Sequence, residues 1–211
     1  MNWYSRLAEN IIKITAHLIF PVECPVCGTP GEIICGECLK KLFSSETIKL
    51  KNNGGLKIYS GNDYDVDIIK KSIHNLKYNK VSALGKPLGK FLAGILTRPD
   101  DLDYIIPVPL HIGSEREYNQ SYEIARGFYE EWRVKILSAA VWSKYVQRRV
   151  MLNAAERLAL SDDAFKIIAD VKNKNVVLID DITTTGTTLL KLKQALEKSG
   201  ANVLSAYTLA C

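Results

Sequence analysis

Apolar positions along the 211-residue chain follow two rhythms, one helical and one extended. Trp3, Leu7, Ile11, Ile14 and Leu18 recur at helical spacing and predict an amphipathic helix over residues 1–20. Val66, Ile69, Ile73 and Leu76 repeat that spacing, as do Leu84, Leu88, Phe91, Leu92 and Ile95. Ser114-Glu-Arg-Glu117 reads as a capping box, with Tyr118, Tyr122, Ala125, Phe128 and Trp132 as the core face of the helix behind it. Leu189, Leu192, Ala195 and Leu196 define a last helix, stopped by Gly200.

Between the helices lie short β-type runs at 103–109, 134–142, 175–180 and 202–209; prolines end the ladder of the first. Strands alternating with helices predict an α/β fold, a mostly parallel sheet with flanking helices on both faces. Ligands of such sheets bind at the carboxyl ends of the strands. Residues 39–62 are polar and glycine-dotted, with a turn at Asn52-Asn53-Gly54-Gly55, and suggest a linker or hairpin into the main domain. Residues 144–161 are polar and carry Arg148, Arg149 and Arg157; they read equally as a mobile lid over a charged substrate or as a solvated loop.

Four of the five cysteines fall in Cys24-Pro-Val-Cys27 and Cys35-Gly-Glu-Cys38. Each C-x2-C turn presents two thiolates to one metal, and two such turns complete a tetrahedral sulfur shell. The expectation is a structural zinc at Cys24, Cys27, Cys35 and Cys38, with every coordination position filled by protein. Disulfides would suit an oxidising compartment, and thioredoxin-type chemistry needs a C-x2-C opening a helix beside a strand. Cys211 is left as a free thiol. The layout predicted is thus an amphipathic helix at 1–20, a four-cysteine knuckle at 21–45 and a main domain at 60–211.

Arg6, Glu9, Lys13 and His17 interrupt the first segment, which falls short of the roughly 18–20 apolar residues of a membrane span. It also lacks the features of a secretory signal. Packing on its own protein is the favoured reading of its apolar stripe over membrane docking, and a cytoplasmic location is expected. The net charge of +5 counts every cysteine as neutral. Four thiolates on one zinc would remove about two charges, and the mild basicity left permits nucleic-acid contact without arguing for it.

The most informative run is Val176-Val-Leu-Ile-Asp-Asp-Ile-Thr-Thr-Thr-Gly-Thr-Thr-Leu189. An apolar strand ends on paired carboxylates, passes a hydroxyl-rich loop around one glycine and opens into a helix. Carboxylates at a strand end can accept hydrogen bonds from vicinal ribose hydroxyls. The loop offers backbone N–H groups and hydroxyls to a phosphate, and the helix N-terminus adds its dipole. A P-loop would need a lysine that is absent here, and a dinucleotide fingerprint would need three spaced glycines. Adjacent strand residues point to opposite faces, so Asp180 and Asp181 would share one metal ion only if the chain turns there.

That run resembles the phosphoribosyl-diphosphate motif of type I phosphoribosyltransferases. The whole chain is similar to the ComF/GntX-like family: a four-cysteine knuckle after Phe20-Pro21, then His74-Asn-Leu-Lys-Tyr78, Ile106-Pro-Val-Pro-Leu-His111, Asn119-Gln-Ser121 and the acidic-threonine motif. The resemblance implies a type I phosphoribosyltransferase fold on which Asp180 and Asp181 hold the ribose hydroxyls and act in catalysis. Thr183, Thr184, Thr185, Gly186 and Thr187 would cradle the 5′-phosphate. Pro109, Leu110 and His111 would lie at the pyrophosphate, with Arg116 nearby and Lys77 reaching the same phosphates. Mg²⁺ would arrive with phosphoribosyl diphosphate. The implied function is a transferase with an unknown acceptor, linked to natural competence and DNA uptake. The alternative is a non-catalytic adaptor that binds single-stranded DNA, through Arg148, Arg149 and Arg157, or a helicase-like partner of the competence machinery. The chain departs from the family where Glu117-Tyr118 precede Asn119 and in the lid sequence around Arg148 and Arg157.

Overall fold

The computed structural model describes residues 23–79, 81–111, 114, 116–143 and 163–211. The helix expected at 1–20 and the lid with Arg148, Arg149 and Arg157 lie outside the described residues. Among those described, no helix is long and apolar enough to cross a membrane.

Among the described residues the first helix, α1 (Gly36–Leu42), starts between the last two knuckle cysteines. Strands β1 (Lys49–Asn53) and β2 (Leu56–Asn62) form an antiparallel hairpin around Gly54 and Gly55. Both glycines have positive φ, 54° and 77°, as so tight a reversal requires. Helices α2 (Asp67–Lys77) and α3 (Gly85–Ile95) follow, then β3 (Tyr104–Pro107), α4 (Gln120–Trp132) and the short β4 (Lys135–Ile136). A separate ribbon pairs β5 (Ala140–Trp142) with β6 (Phe165–Ile167). β7 (Asn175–Ile182), α5 (Thr187–Lys198) and β8 (Asn202–Ala210) complete the order.

The main sheet has six strands in the order β1-β2-β8-β7-β3-β4. Only β1 runs antiparallel to its neighbour; the other pairs are parallel. The mixed α/β fold with a mostly parallel sheet is as the alternation of patterns predicts. Side chains leave the sheet alternately. Ile105, Val177, Ile179, Tyr207 and Leu209 pack with Ile73, Leu88 and Phe128 of α2, α3 and α4. Ile58, Ile106, Val176, Leu178 and Ala206 pack with Leu189 and Leu192 of α5 and Phe165 of β6. Cys24, Cys38, Leu42 and Phe43 belong to the first of these cores, so the knuckle shares the main domain's interior.

Two expectations are corrected. The helix assigned to Ser114-Glu-Arg-Glu117 begins at Gln120 instead, capped by Asn119, whose side chain accepts from the N–H groups of Ser121 and Tyr122. Asn119 wins because its Nδ2 also donates to the Val108 carbonyl at 2.9 Å, which fixes the helix start to the end of β3. The helix presents Ile124, Ala125, Phe128 and Trp132 to the core and leaves Tyr122 exposed. The single strand expected at 134–142 is two. After β4 the Ala139 N–H folds back on the Leu137 carbonyl at 2.9 Å, and the chain leaves the main sheet to pair with β6.

Glycines let α3 and α4 touch backbone to backbone. A Cβ built on Gly89 would lie 2.1 Å from the Ile124 carbonyl oxygen, and one on Gly127 would lie 2.2 Å from that of Lys86.

Candidate functional site

β7 and β3 are neighbours, yet the chain continues from β3 outward to β4 and from β7 the opposite way to β8. Such a reversal opens a crevice beyond the carboxyl ends of the two strands, where ligands of parallel sheets bind. Asp180 and Asp181 lie there, just past the Pro107–Ile179 pairing, and the Val108 N–H still bonds the Ile179 carbonyl at 2.8 Å.

Each carboxylate is held by a different helix. Lys77, the last residue of α2, places Nζ 3.0 Å from Asp181 Oδ2, with only 16% and 11% of the two side chains exposed. Ser121 in the first turn of α4 donates its hydroxyl to Asp180 Oδ1 at 2.9 Å, and the Asp181 N–H donates to the same oxygen at 2.9 Å. Burial, then the Asp181 charge beside it, pushes the Asp180 carboxyl up to about 7, against the opposing pull of Ser121, the Asp181 amide and Lys77. Asp180 therefore sits where it can gain or lose its proton near neutrality.

The loop behind them turns on Gly186, which has φ 76° and stands at the N-cap of α5. Thr184 and Thr185 are exposed, whereas Thr183 is buried, its N–H bonded to the Ala210 carbonyl at 3.0 Å and its hydroxyl without a partner among the described residues. Thr185 and Thr187 share a hydroxyl–hydroxyl contact of 2.8 Å. The N–H groups of Thr184, Thr185 and Gly186 meet no acceptor among the described residues, which leaves three consecutive donors at a helix N-terminus.

The loop after β3 closes the other side. Its Pro109 carbonyl accepts from Trp142 Nε1 at 2.9 Å, and the His111 ring lies 4.8 Å from the Trp142 ring. Pro109 and Leu110 are half-buried and His111 is exposed. Arg116 donates to Gln120 Oε1 at 3.2 Å and lies over the Tyr78 ring at 5.6 Å. Tyr78 directly follows Lys77, and Tyr118 reaches back to the Leu76 carbonyl, so the segment around Arg116 is tied to the end of α2. Lys77 was expected at the phosphates; in this structure its partner is Asp181.

Three contributors escape a reading of the sequence. Ser121 stands in the Asn119-Gln-Ser121 element but shows its role only through Asp180. Lys51 and Asn53 sit in what reads as a polar linker and bond the carbonyls of Thr184 and Thr185 at 2.9 and 2.8 Å.

The second constellation is the knuckle. Sulfurs of Cys24, Cys27, Cys35 and Cys38 lie within 4.8 Å of one another and could hold a metal ion. Positive φ at Gly28 and Gly31, 76° and 104°, bends the chain between the two cysteine pairs. The Thr29 hydroxyl, then its backbone, lowers the Cys27 thiol to about 6, which favours the thiolate that metals bind. Burial pushes Cys38 the other way.

A sequence model described as the phosphoribosyl transferase domain matches residues 136–210, from β4 to the end of β8. That stretch of the chain is similar to a phosphoribosyl transferase domain. The DNA utilization protein YhgH of Shigella flexneri is 26% identical over 201 residues, 88% of this chain and 82% of that protein. The competence protein ComFC of Bacillus subtilis is 25% identical over 214 residues, 95% of this chain and 80% of that one. An amidophosphoribosyltransferase of Staphylococcus aureus is 34% identical over 128 residues, 58% of this chain but 23% of its own. Among solved structures, adenine phosphoribosyltransferase from Leishmania donovani is 16% identical and covers 81% of this chain and 66% of its own, with a TM-score of 0.40. With the four-cysteine cluster ahead of the matched residues, the YhgH and ComFC relatives bear out the resemblance to the ComF/GntX-like family.

Proposed function

We propose that the domain binds phosphoribosyl diphosphate with Mg²⁺ at the carboxyl ends of β3 and β7, and that this binding serves DNA uptake or processing in the cytoplasm. The observation that carries the reading is the Asp180-Asp181 pair, clamped by Ser121 and Lys77 just before three loop amides that meet no acceptor among the described residues, at a helix N-terminus. Asp180 and Asp181 accept the ribose 2′- and 3′-hydroxyls. Thr183 to Thr187 take the 5′-phosphate, and the loop of Pro109, Leu110 and His111, with Arg116, faces the diphosphate. Lys77, paired with Asp181 at 3.0 Å, trades it for a phosphate when substrate enters. Mg²⁺ would arrive with the diphosphate, held mainly through its oxygens and water, and would supply charge neutralisation to the leaving group. For transfer, the protein's part is to fix the ribose and to stabilise a positive C1 while pyrophosphate departs.

Zinc fits the four convergent thiols, which leave no open coordination position, and its role is structural. The names of the relatives, DNA utilization and competence, support the cellular setting. They also favour a second reading, in which the fold binds without turnover and acts as an adaptor for single-stranded DNA or a helicase.

Calorimetry with phosphoribosyl diphosphate, with and without Mg²⁺, tests the site. Wild type should give Mg²⁺-dependent heat that the Asp180→Asn/Asp181→Asn double variant loses. A folded, zinc-loaded wild type that gives none would refute the binding reading. Pyrophosphate release with a panel of nucleobases and amines then separates enzyme from adaptor.

A further inference from the structure

We propose that Lys51 and Asn53, on the exposed edge strand β1, are positioning residues that aim the loop amides of Thr185 and Gly186 at a phosphate. The proposal rests on the sugar-phosphate reading of that loop.

Lys51 and Asn53 are two residues apart on one strand and so project to the same side. Lys51 Nζ donates to the Thr184 carbonyl at 2.9 Å, and Asn53 Nδ2 donates to the Thr185 carbonyl at 2.8 Å. These are consecutive peptide units. In a trans planar peptide the C=O and the following N–H point opposite ways, and every peptide bond described here is trans. Carbonyls drawn toward the hairpin therefore turn the N–H groups of Thr185 and Gly186 away from it. Those are two of the three amides with no protein acceptor among the described residues.

The hairpin is seated closely enough to do this. A Cβ on Gly186 would come within 2.8 Å of Asn53 Nδ2 and 3.0 Å of Ile58 Cδ1. At the hairpin tip, a Cβ on Gly54 would lie 2.9 Å from Leu190 Cδ1, in the first turn of α5. The hairpin thus touches the loop and the helix start at once. It in turn is moored to the knuckle side of the molecule, where Asn62 Nδ2 donates to the Leu42 carbonyl at 2.8 Å and Thr47 Oγ1 to the Gly61 carbonyl at 2.7 Å.

The probes are ribose 5-phosphate, which needs the loop, and Mg²⁺-pyrophosphate, which does not. In the zinc-loaded full chain, Lys51→Met and Asn53→Ala should each weaken ribose 5-phosphate by about tenfold or more, the scale of a lost hydrogen bond to a charged group. Pyrophosphate binding should hold, and Lys51→Arg should restore most of the loss. Amide ¹⁵N–¹H shifts of Thr185 and Gly186 on adding ribose 5-phosphate should be large in wild type and small in the two variants. Unchanged ribose 5-phosphate affinity and unchanged amide shifts would overturn the proposal while leaving the site reading intact. Equal loss of both ligands would overturn it as well, since that is general disruption. A wild type that binds neither probe would bring down the site reading, and this inference with it.

Discussion

Lys77 and Asp181 form an ion pair at 3.0 Å across the crevice, both largely out of water. Such a pair adds little over an apolar one, but a single truncation strands a buried charge. Lys77→Met should therefore cost about 3–5 kcal/mol of unfolding free energy. The double variant Lys77→Met/Asp181→Asn should recover most of it. Urea unfolding of the four members of the cycle checks this; a double variant whose loss is the sum of the two single losses would refute the coupling.

Asp180 titrates well above an ordinary carboxyl, from 3.8 to about 7. Its folded state holds the proton more tightly than the unfolded one, so its protonated form favours the fold. Stability contributed this way is full below pH 3.8 and is lost as pH rises toward about 7. Asp180→Asn, which mimics the protonated group, should raise the melting temperature by several degrees at pH 8 and by little at pH 4. Ligand binding should suffer in the same variant, a trade between stability and function. Melting curves across that range decide it; a gain that grows toward acid would contradict the assignment.

Gly186 carries φ 76° with Asn53 and Ile58 close to where a side chain would go. Gly186→Ala should cost about 1–2 kcal/mol from backbone strain alone, and more as Asn53 is pushed off the Thr185 carbonyl. Thermal unfolding together with calorimetry should show phosphate binding falling further than stability does.

Gly89 has no such slack, because the clash is with the backbone of α4 at 2.1 Å. Gly89→Ala should separate α3 from α4 and cost more than about 3 kcal/mol, above the usual range for a point substitution. Circular dichroism and denaturant titration give the reading, and a variant within about 1 kcal/mol of wild type would contradict the packing described.

Zinc removal should reach the main core, since Cys24, Cys38, Leu42 and Phe43 belong to it. Cys24→Ser is expected to lose the metal, read by elemental analysis as a fall from about one ion per chain. It should also lower the single unfolding transition of the whole chain, without adding a separate early one.

The chemistry was legible where it is contiguous. Asp180 to Thr187 and Cys24 to Cys38 each declare themselves within fifteen residues or fewer, because one strand–loop–helix unit and one knuckle supply every group. Ser121, Lys51 and Asn53 did not, and Lys77 entered only through the family resemblance, since each acts across the fold; Lys51 and Thr184 are 133 positions apart. β1 is exposed along most of its length, so it has no apolar alternation to separate it from a linker. The capping box failed for a related reason: Ser114 and Glu117 satisfied a local pattern, but Asn119 had a tertiary partner in the Val108 carbonyl.

β8 lies in the middle of the sheet, bonded to β2 on one side and β7 on the other, although it follows both in the chain. During synthesis the hairpin of residues 49–62 emerges early and finds its inner neighbour only after residues 202–210 have been made. Until then β2 has an open edge and the threonine loop has nothing to lean on. Closure of so distant a pairing is slow by comparison with helix packing, so the proposed phosphate site should be among the last features of the nascent protein to take shape.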